Sequence, residues 1–411
     1  MRVICLPSTS PVVYCGIGVR AGSVHELPGE EGVAHFCEHV SFKGTARRSA
    51  FQILNALESV GGDLNAFTNK EDTVFYAAIQ QTHFLRAVDL LADIVFHSTY
   101  PDDEIRHEVD VICDEIESYN DSPAELIYDE FENRIFQGHP LGHNILGTSS
   151  RVRTFTAADA RRFTCRYYRP ENTVFFVNGD VDFSRLVRKL ETLPQQTHPQ
   201  PLPCREGSKY CQDGESAAGL STPLPTREGL GEGLQGAALH HQAHVMIGCR
   251  AYAYDDPRRM PLYLLNNLLG GPGMNARLNL LLREKHGLVY TVDSSLVGYH
   301  DAGAWMTYFG CDHHDVKRCL RLVRHTLDHV MQKPLSARQL AAAKRQLKGQ
   351  IAIACDNREQ FTLDFAKHFL HYGKGRDVEE LFERIDAVSA QQLQDVAQEL
   401  FAADHLQTLI L

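Results

Sequence analysis

Residues 199–238 carry no hydrophobic periodicity and divide the 411-residue chain into two parts of similar size. This stretch is rich in Pro, Gly and Ser, a composition typical of a linker. A chain of this length also exceeds what a single hydrophobic core usually fills. We therefore predict an N-terminal domain over 1–198, a linker over 199–238 and a C-terminal domain over 239–411.

The two parts repeat a similar order of elements. In the first, the strand "PVVYCGIGVRAG" precedes two helices, the second of which, "SAFQILNALESVGG", ends in paired glycines. In the second, the strand "HVMIGCRAYAY" precedes the helix "PLYLLNNLLGG", which ends in the same way. We predict an α+β fold of two similar domains, each an antiparallel-rich sheet packed with helices, joined by the Pro/Gly-rich linker.

The charge and hydropathy of the chain limit its partners. Its net charge is −11 and it has no basic stripe, which argues against a nucleic-acid or anionic-membrane partner. No apolar run approaches the roughly 18–20 residues needed to cross a bilayer. The first residues show neither a long apolar stretch nor a small-residue cleavage site. We expect a cytoplasmic protein that binds neither nucleic acids nor membranes.

The segment "GVAHFCEHVSFKGT" places His35, Glu38 and His39 at i, i+3 and i+4 of a predicted helix. Residues four apart lie one turn above each other, so the two imidazoles can bind one ion, with Glu38 on the same side. This is the inverted order of the H-E-x-x-H zinc motif. The alternative is a helix face that happens to carry two partly exposed histidines. Cys37 falls on the opposite face, where we expect it to pack.

A catalytic zinc ion needs a third protein ligand, which is often a carboxylate. The segment "DDEIRHEVDVICDEIES" predicts a helix over 102–118, which Asp102 can cap. Its core stripe at helical spacing consists of Ile105, Val109, Ile112 and Ile116. Glu108 and Glu115 lie beside this stripe, seven residues apart, on one face. Acidic helices are usually only solvated, but carboxylates at a buried edge are costly unless a cation pairs with them.

Taken together, these segments resemble the inverted-motif zinc peptidases, the M16 family of insulin-degrading enzyme, pitrilysin and mitochondrial processing peptidase. Glu115 follows His39 by 76 positions, where the family has a glutamate ligand, although Asp114 replaces the preceding Glu. "GGDLNAFTNKEDTVFY", "HPLGHNILGT" and "YYRPENTVFFVNGDVD" resemble further family segments. "GGPGMNARLNLLLREKHGLVYTVDSS" resembles the signature of the second domain. The resemblance covers nearly the whole chain and implies a short, two-domain bacterial-type member.

The resemblance implies a role for each residue of the first domain's site. His35, His39 and Glu115 are expected to bind one Zn²⁺ per chain. Glu38 is expected to act as the general base that activates a zinc-bound water. Glu108 matches a family glutamate that would orient a ligand histidine or the water; the alternative for Glu108 is a plain salt bridge.

The resemblance also implies where a peptide binds. Asn65 and Ala66 match a substrate strand whose edge would pair with an extended peptide, although "LNAFT" is also consistent with an ordinary edge strand. Arg283 and Tyr290 match residues that stabilise the substrate carbonyl as it becomes an oxyanion; taken alone, both would usually be structural. A two-domain chain would obtain this pair from a second subunit, so we predict a homodimer that encloses peptides or unfolded segments.

Two other functions stay open from the sequence. One is a peptide-binding module with a structural zinc ion, which would need a fourth Cys or His ligand. The other is a subunit of a heterodimer with a non-catalytic homologue. The endopeptidase interpretation uses all of the proposed site residues.

Overall fold

The computed structural model describes residues 1–192 and 242–411, and their strands form two sheets. The first sheet has the strand order β1-β5-β2-β4-β3, and the second has the order β7-β8-β6-β9. The strands are β1 (Arg2–Leu6), β2 (Val12–Val19), β3 (Asp63–Thr68), β4 (Thr73–Gln80), β5 (Thr173–Asn178), β6 (Ala243–Ala251), β7 (Val289–Gly298), β8 (Gly303–Cys311) and β9 (Gln407–Ile410).

Helices cover the sheets and connect most of their strands. In the first domain they are α1 (Val33–Ser41), α2 (Ala50–Glu58), α3 (Phe84–Phe96), α4 (Asp102–Asn120), α5 (Pro123–Ile135), α6 (Ser149–Val152), α7 (Ala157–Tyr167) and α8 (Phe183–Glu191). In the second they are α9 (Arg259–Gly270), α10 (Val316–Gln332), α11 (Ala337–Asp356), α12 (Arg358–Tyr372), α13 (Val378–Ala387) and α14 (Ala390–Leu400). A π-helix spans Asn279–Lys285.

Both sheets are rich in antiparallel pairs. In the first sheet β1 and β5 are parallel, while β2, β3 and β4 pair antiparallel, as do β2 and β5. The pairs of the second sheet are all antiparallel. Strand β5, "TVFFVN", is buried along its whole length, as expected for β-branched and aromatic residues in a sheet covered on both faces.

Four strands of the first sheet share the topology of the second sheet, and β1 is additional. The order β3-β4-β2-β5 in the first sheet corresponds to β7-β8-β6-β9 in the second when strands are matched in chain order. Helix α1 follows β2, and α9 follows β6 at the corresponding position. The predicted α+β fold with two similar, antiparallel-rich domains is confirmed.

Each domain sends one helix to the outer face of the other domain's sheet. Helix α5 packs on the second sheet, and α12 packs on the first. The first interface contains Ile127, Phe131 and Ile135 of α5 with Met246, Met306 and Tyr308. The second contains Leu363, Ala366 and Leu370 of α12 with Ile4, Val174 and Phe176. Because each helix completes a hydrophobic core of the other domain, the described residues form one compact unit.

Some expectations were inexact or lie outside the described residues. The predicted boundaries of the 199–238 linker fall outside them. Helix α5 was not foreseen between α4 and the "GHPLGHNILGT" loop. Asp102 is the first residue of α4 and not its cap, because the N-cap position is Pro101. No helix in 1–192 or 242–411 combines the length and apolar character needed to span a membrane.

Candidate metal centre

Several groups fix the first turn of α1, the helix that carries the inverted motif. Gly32 precedes it with φ of 93°, and a Cβ there would lie 2.8 Å from the carbonyl oxygen of Leu146. The buried Glu26 carboxylate accepts hydrogen bonds from the backbone N–H groups of Gly32 (3.0 Å) and Ala34 (2.8 Å), which a helix leaves without intrahelical partners. The imidazole of His143 lies 2.9 Å from the same carboxylate. The motif helix is therefore tied to the "HPLGHNILGT" loop.

Helix α4 packs beside α1 and directs two carboxylates toward it. Its buried residues are Ile105, Glu108, Ile112, Cys113 and Ile116. Val109 of the predicted stripe is partly buried against the same core. Because Glu108 and Glu115 share the face beside this stripe, both reach the histidines of α1.

The structure brings the three predicted metal ligands together. One ligand atom each from His35, His39 and Glu115 lie within 4.8 Å of one another. The Nε2 atom of His39 lies 3.3 Å from Glu115 Oε2, and the Nε2 atom of His35 lies 3.7 Å from Glu115 Oε1. Both imidazoles thus direct the same ring nitrogen toward one carboxylate.

The electrostatics of this group suit a divalent cation. Burial and the neighbouring His39 lower the pKa of His35 to about 4, so its imidazole is neutral at physiological pH. Burial would also lower the pKa of His39, but hydrogen bonds with Glu108 and Glu115 raise it to about 9. A hydrogen bond with His39 lowers the pKa of Glu115. Two imidazoles and one carboxylate form the His₂Glu set that zinc accepts, so the residues present fit this ion.

Glu108 lies behind His39. Its Oε1 is 2.9 Å from His39 Nδ1, and its other oxygen forms an ion pair with Lys43. Burial would raise the pKa of Glu108, but these two partners lower it, so the carboxylate is charged. When His39 is neutral, as it must be to bind a metal ion, a carboxylate on Nδ1 keeps the lone pair of its ring on Nε2, the atom that faces Glu115.

Glu38 is buried beside the ligand group. The residue is only 9% exposed, and its Oε2 accepts a hydrogen bond of 2.5 Å from the hydroxyl of Thr68. Burial raises its pKa, although this hydrogen bond opposes the effect. Cys37 points to the other side of α1, where its Sγ lies 3.8 Å from the carbonyl oxygen of Ala160.

Asn65 and Ala66 lie on β3, which is an edge strand of the first sheet among residues 1–192 and 242–411. Asn65 is exposed, and its side-chain amide donates to Asp63 Oδ2 at 2.9 Å. Ala66 is partly buried against the first core. Strand β3 ends at Thr68, so the edge strand and the contact to Glu38 belong to one element.

Arg283 and Tyr290 lie in the second domain and are solvent-exposed. Arg283 belongs to the π-helix, where its ion pair within the described chain is with Glu284 at 3.9 Å. Tyr290 is 72% exposed near the start of β7, at an edge of the second sheet. The structure does not join either residue to the metal ligands through a hydrogen bond or ion pair of the described residues.

Sequence reasoning missed two residues of the site. Lys43 stands four positions after His39, so helical spacing could have placed it one turn beyond His39, but it does not reveal the ion pair with Glu108 on α4. Thr68 was part of the Gly-Gly-x-x-Asn-Ala-x-Thr segment, but spacing along a strand does not reveal which helix faces its hydroxyl.

Known proteins similar to this chain include relatives described as zinc proteases. Two family models match consecutive parts of the chain: insulinase (peptidase family M16) over residues 2–149, and the peptidase M16 inactive domain over residues 154–347. The chain is 30% identical to YmxG of Bacillus subtilis, described as an uncharacterized zinc protease, over 97% of this chain and 92% of the relative. It is 32% identical to the similarly described SCO5738 of Streptomyces coelicolor, over 96% and 83%.

Solved structures share the fold. A protease from Helicobacter pylori superposes with a TM-score of 0.83 at 20% identity, covering 99% of this chain and 96% of that one. The peptidase M16 inactive domain from Pseudomonas fluorescens superposes with a TM-score of 0.80 at 19% identity, covering 99% and 94%.

Proposed function

This chain belongs to peptidase family M16, and from that premise we propose that it is a zinc-dependent endopeptidase acting on peptides or unfolded segments enclosed by a homodimer. Relatives described as zinc proteases support a peptidase function and the use of zinc. The observation that carries the proposal is the close approach of His35, His39 and Glu115 with the buried Glu38 beside them.

The three ligand side chains would bind the same zinc ion, one per chain. His35 offers a neutral imidazole, and Glu108 orients His39 so that its Nε2 is the donor atom. Glu115 contributes a carboxylate whose pKa is lowered by its hydrogen bond with His39. When bound, zinc would supply a Lewis acid that makes water more acidic and polarises the scissile carbonyl.

Glu38 would act as the general base that transfers a proton from the attacking water to the leaving amine. With Oε2 engaged by Thr68, its other oxygen would accept a proton from the attacking water and deliver it to the leaving amine. A general base works best when its pKa approaches the operating pH, and burial raises the pKa of Glu38 in that direction.

The peptide would bind as an additional strand on β3. An edge strand offers unpaired backbone groups, which bind an extended peptide largely irrespective of its sequence. Asn65 and Ala66 would lie along the bound segment, with the Asn65 amide available to its backbone. The enclosing homodimer would exclude folded proteins, so peptides and unfolded segments would be the substrates.

The second subunit would complete the site. Arg283 and Tyr290 are exposed donors, and a donor acts best on a developing oxyanion when water is excluded. We propose that both residues of one subunit act at the zinc site of the other.

Cleavage of a quenched, unstructured peptide by wild type and by Glu38→Gln tests the chemistry, with bound zinc measured in both. We expect cleavage by wild type only and about one zinc per chain in each. Zinc in both proteins with cleavage by neither would favour a binding module or a subunit that needs a heterologous partner. Zinc in neither would exclude the metal site.

Mixing inactive variants tests the shared site. Glu38→Gln and a double variant, Arg283→Ala with Tyr290→Phe, should each be inactive or severely impaired. After subunit exchange, the mixture should recover about 25% of wild-type activity, because half of the dimers are mixed and each has one intact site of two. Glu38→Gln mixed with His35→Ala is the control, and recovery is not expected because both changes affect the first domain. Equal recovery in both mixtures, or none in either, would contradict action in trans.

A further inference from the structure

We propose that Thr68 is a positioning residue for Glu38: its hydroxyl fixes one carboxylate oxygen, so that the other faces the reacting water. This inference rests on the proposed function. It assigns a role to the residue that ends the edge strand β3.

The carboxylate of Glu38, when ionised, can only accept the hydrogen bond, so Thr68 is the donor. Thr73, the cross-strand partner of Thr68, is fully buried and donates its proton to the carbonyl oxygen of Ala21 at 2.9 Å. A threonine hydroxyl has one proton, so Thr73 has none left for Thr68, 3.4 Å away. The hydroxyl of Thr68 thus accepts no hydrogen bond from Thr73, and it donates its own proton to Glu38 Oε2.

The position of Thr68 is held by the turn that follows it. Asn69 N–H donates to the carbonyl oxygen of Asp72 at 2.7 Å, and the Asn69 side-chain amide donates to Asp72 Oδ1 at 2.7 Å. Asp72 Oδ2 lies 2.8 Å from His371 Nε2 on α12, and both side chains are 8% exposed. In addition, Lys70 donates to the carbonyl oxygen of His143. The turn is thus anchored to the second domain and to the loop that holds α1.

This arrangement links peptide alignment to base orientation. Ala66 and Thr68 are two residues apart on β3, so their side chains share one face of the strand. A peptide paired with the edge at Ala66 and the Glu38 carboxylate held by Thr68 are both positioned by the same short strand. A shift of β3 would move the bound peptide and the Glu38 carboxylate together. The scissile bond would therefore stay aligned with the carboxylate oxygen that Thr68 does not bind.

The test compares Thr68→Val, which replaces the hydroxyl with a methyl of similar size, with Thr68→Ser, which keeps the hydroxyl. We expect kcat of the valine variant to fall about 10- to 100-fold with little change in KM, since a misaligned group lowers the rate without weakening binding. The serine variant should recover most of kcat. All should bind zinc equally, because Thr68 does not contact a ligand. Thr82→Val, at an exposed threonine beyond the hairpin, should keep kcat within about twofold of wild type.

Crystal structures of wild type and both Thr68 variants give a readout independent of activity. The Glu38 carboxylate should rotate or become disordered in the valine variant and keep its orientation in the serine variant. An unmoved carboxylate with unchanged kcat in Thr68→Val, or equal loss of kcat in both variants, would overturn the proposal. If wild type cleaves no peptide, the proposed function fails, and the carboxylate orientations alone decide the role of Thr68. Thr68→Ala replaces the valine variant if the latter does not fold.

Discussion

Removing the carboxylate of Glu108 should weaken zinc binding although Glu108 is not a ligand. Its Oε1 holds His39 Nδ1 at 2.9 Å, and its other oxygen pairs with Lys43. Without this carboxylate the His39 ring can rotate or change tautomer, and each alternative removes Nε2 from the ligand group. The Lys43 ammonium would also lose its anionic partner next to the cation site.

The size of the effect follows from these contacts. A hydrogen bond to a charged group contributes about 1.5–3 kcal/mol, which corresponds to roughly a 10- to 150-fold change in an equilibrium constant. Glu108→Gln keeps an acceptor for His39 but loses the charge, so we expect a dissociation constant about 10-fold higher. Glu108→Ala loses both the acceptor and the charge, so we expect a dissociation constant for zinc about 100-fold higher. This is the upper end of the range for residues that hydrogen-bond to metal ligands.

Competition with a chromophoric zinc chelator measures these constants. Glu117→Gln is the matched control, because Glu117 is an exposed acid on the same helix and the substitution removes the same charge. We expect it to bind zinc like wild type. If Glu108→Ala binds zinc as tightly as wild type, orientation of His39 is not its role. If Glu117→Gln weakens binding equally, net charge and not the contact explains the effect.

Three further predictions concern stability. Leu370→Ala should lower the free energy of unfolding by about 2–5 kcal/mol in urea titrations, because Leu370 is 2% exposed in the interdomain core; Ile353→Ala, at a position 76% exposed on α11, should change it by less than about 0.5 kcal/mol. Burial would raise the pKa of Asp89, but hydrogen bonds from Lys189 and two arginines lower it. The charged Asp89 carboxylate thus stabilises the folded protein fully above its unfolded pKa of about 3.9, and this stabilisation is lost as pH falls toward its pKa in the folded protein. The difference in the free energy of unfolding between wild type and Asp89→Asn should therefore decrease below about pH 4, measured by unfolding at a series of pH values. Zinc should raise the melting temperature of wild type but not of His35→Ala in calorimetry, because only a protein that binds the ion gains stability from it.

The metal site was predictable to the extent that it follows from helical periodicity. His35, Glu38 and His39 share a face because of their spacing, and Glu108 and Glu115 share another for the same reason. Periodicity does not say that α4 packs beside α1, so the pairing of the two faces depended on the resemblance.

The fold was predictable where neighbouring residues decide it. The hairpin of β3 and β4, with its turn at Asn69–Asp72, follows from strand patterns separated by polar residues. The sequence does not predict which sheet α5 packs on, because the apolar stripe of Ile127, Phe131 and Ile135 indicates only that one face of the helix is buried. Which sheet buries it is decided by strands more than 100 residues away in the chain.

The topological repeat allows the position of the metal-ligand group to be compared between the two domains. Helix α9 corresponds to α1, but its buried residues are four leucines with Met260, Pro261, Gly270, Asn267 and Asn266. Asn266 accepts a hydrogen bond from Trp305 Nε1 and donates one to the Ser294 carbonyl oxygen, both at 3.0 Å. Those partners complete the core of the second domain and offer no metal ligand. The other close group of potential ligands in the described residues, Asp312, His314 and Asp315, lies between β8 and α10. In the proposed reaction the second domain would therefore act through exposed side chains, which the proposed second subunit would bring to the metal ligands.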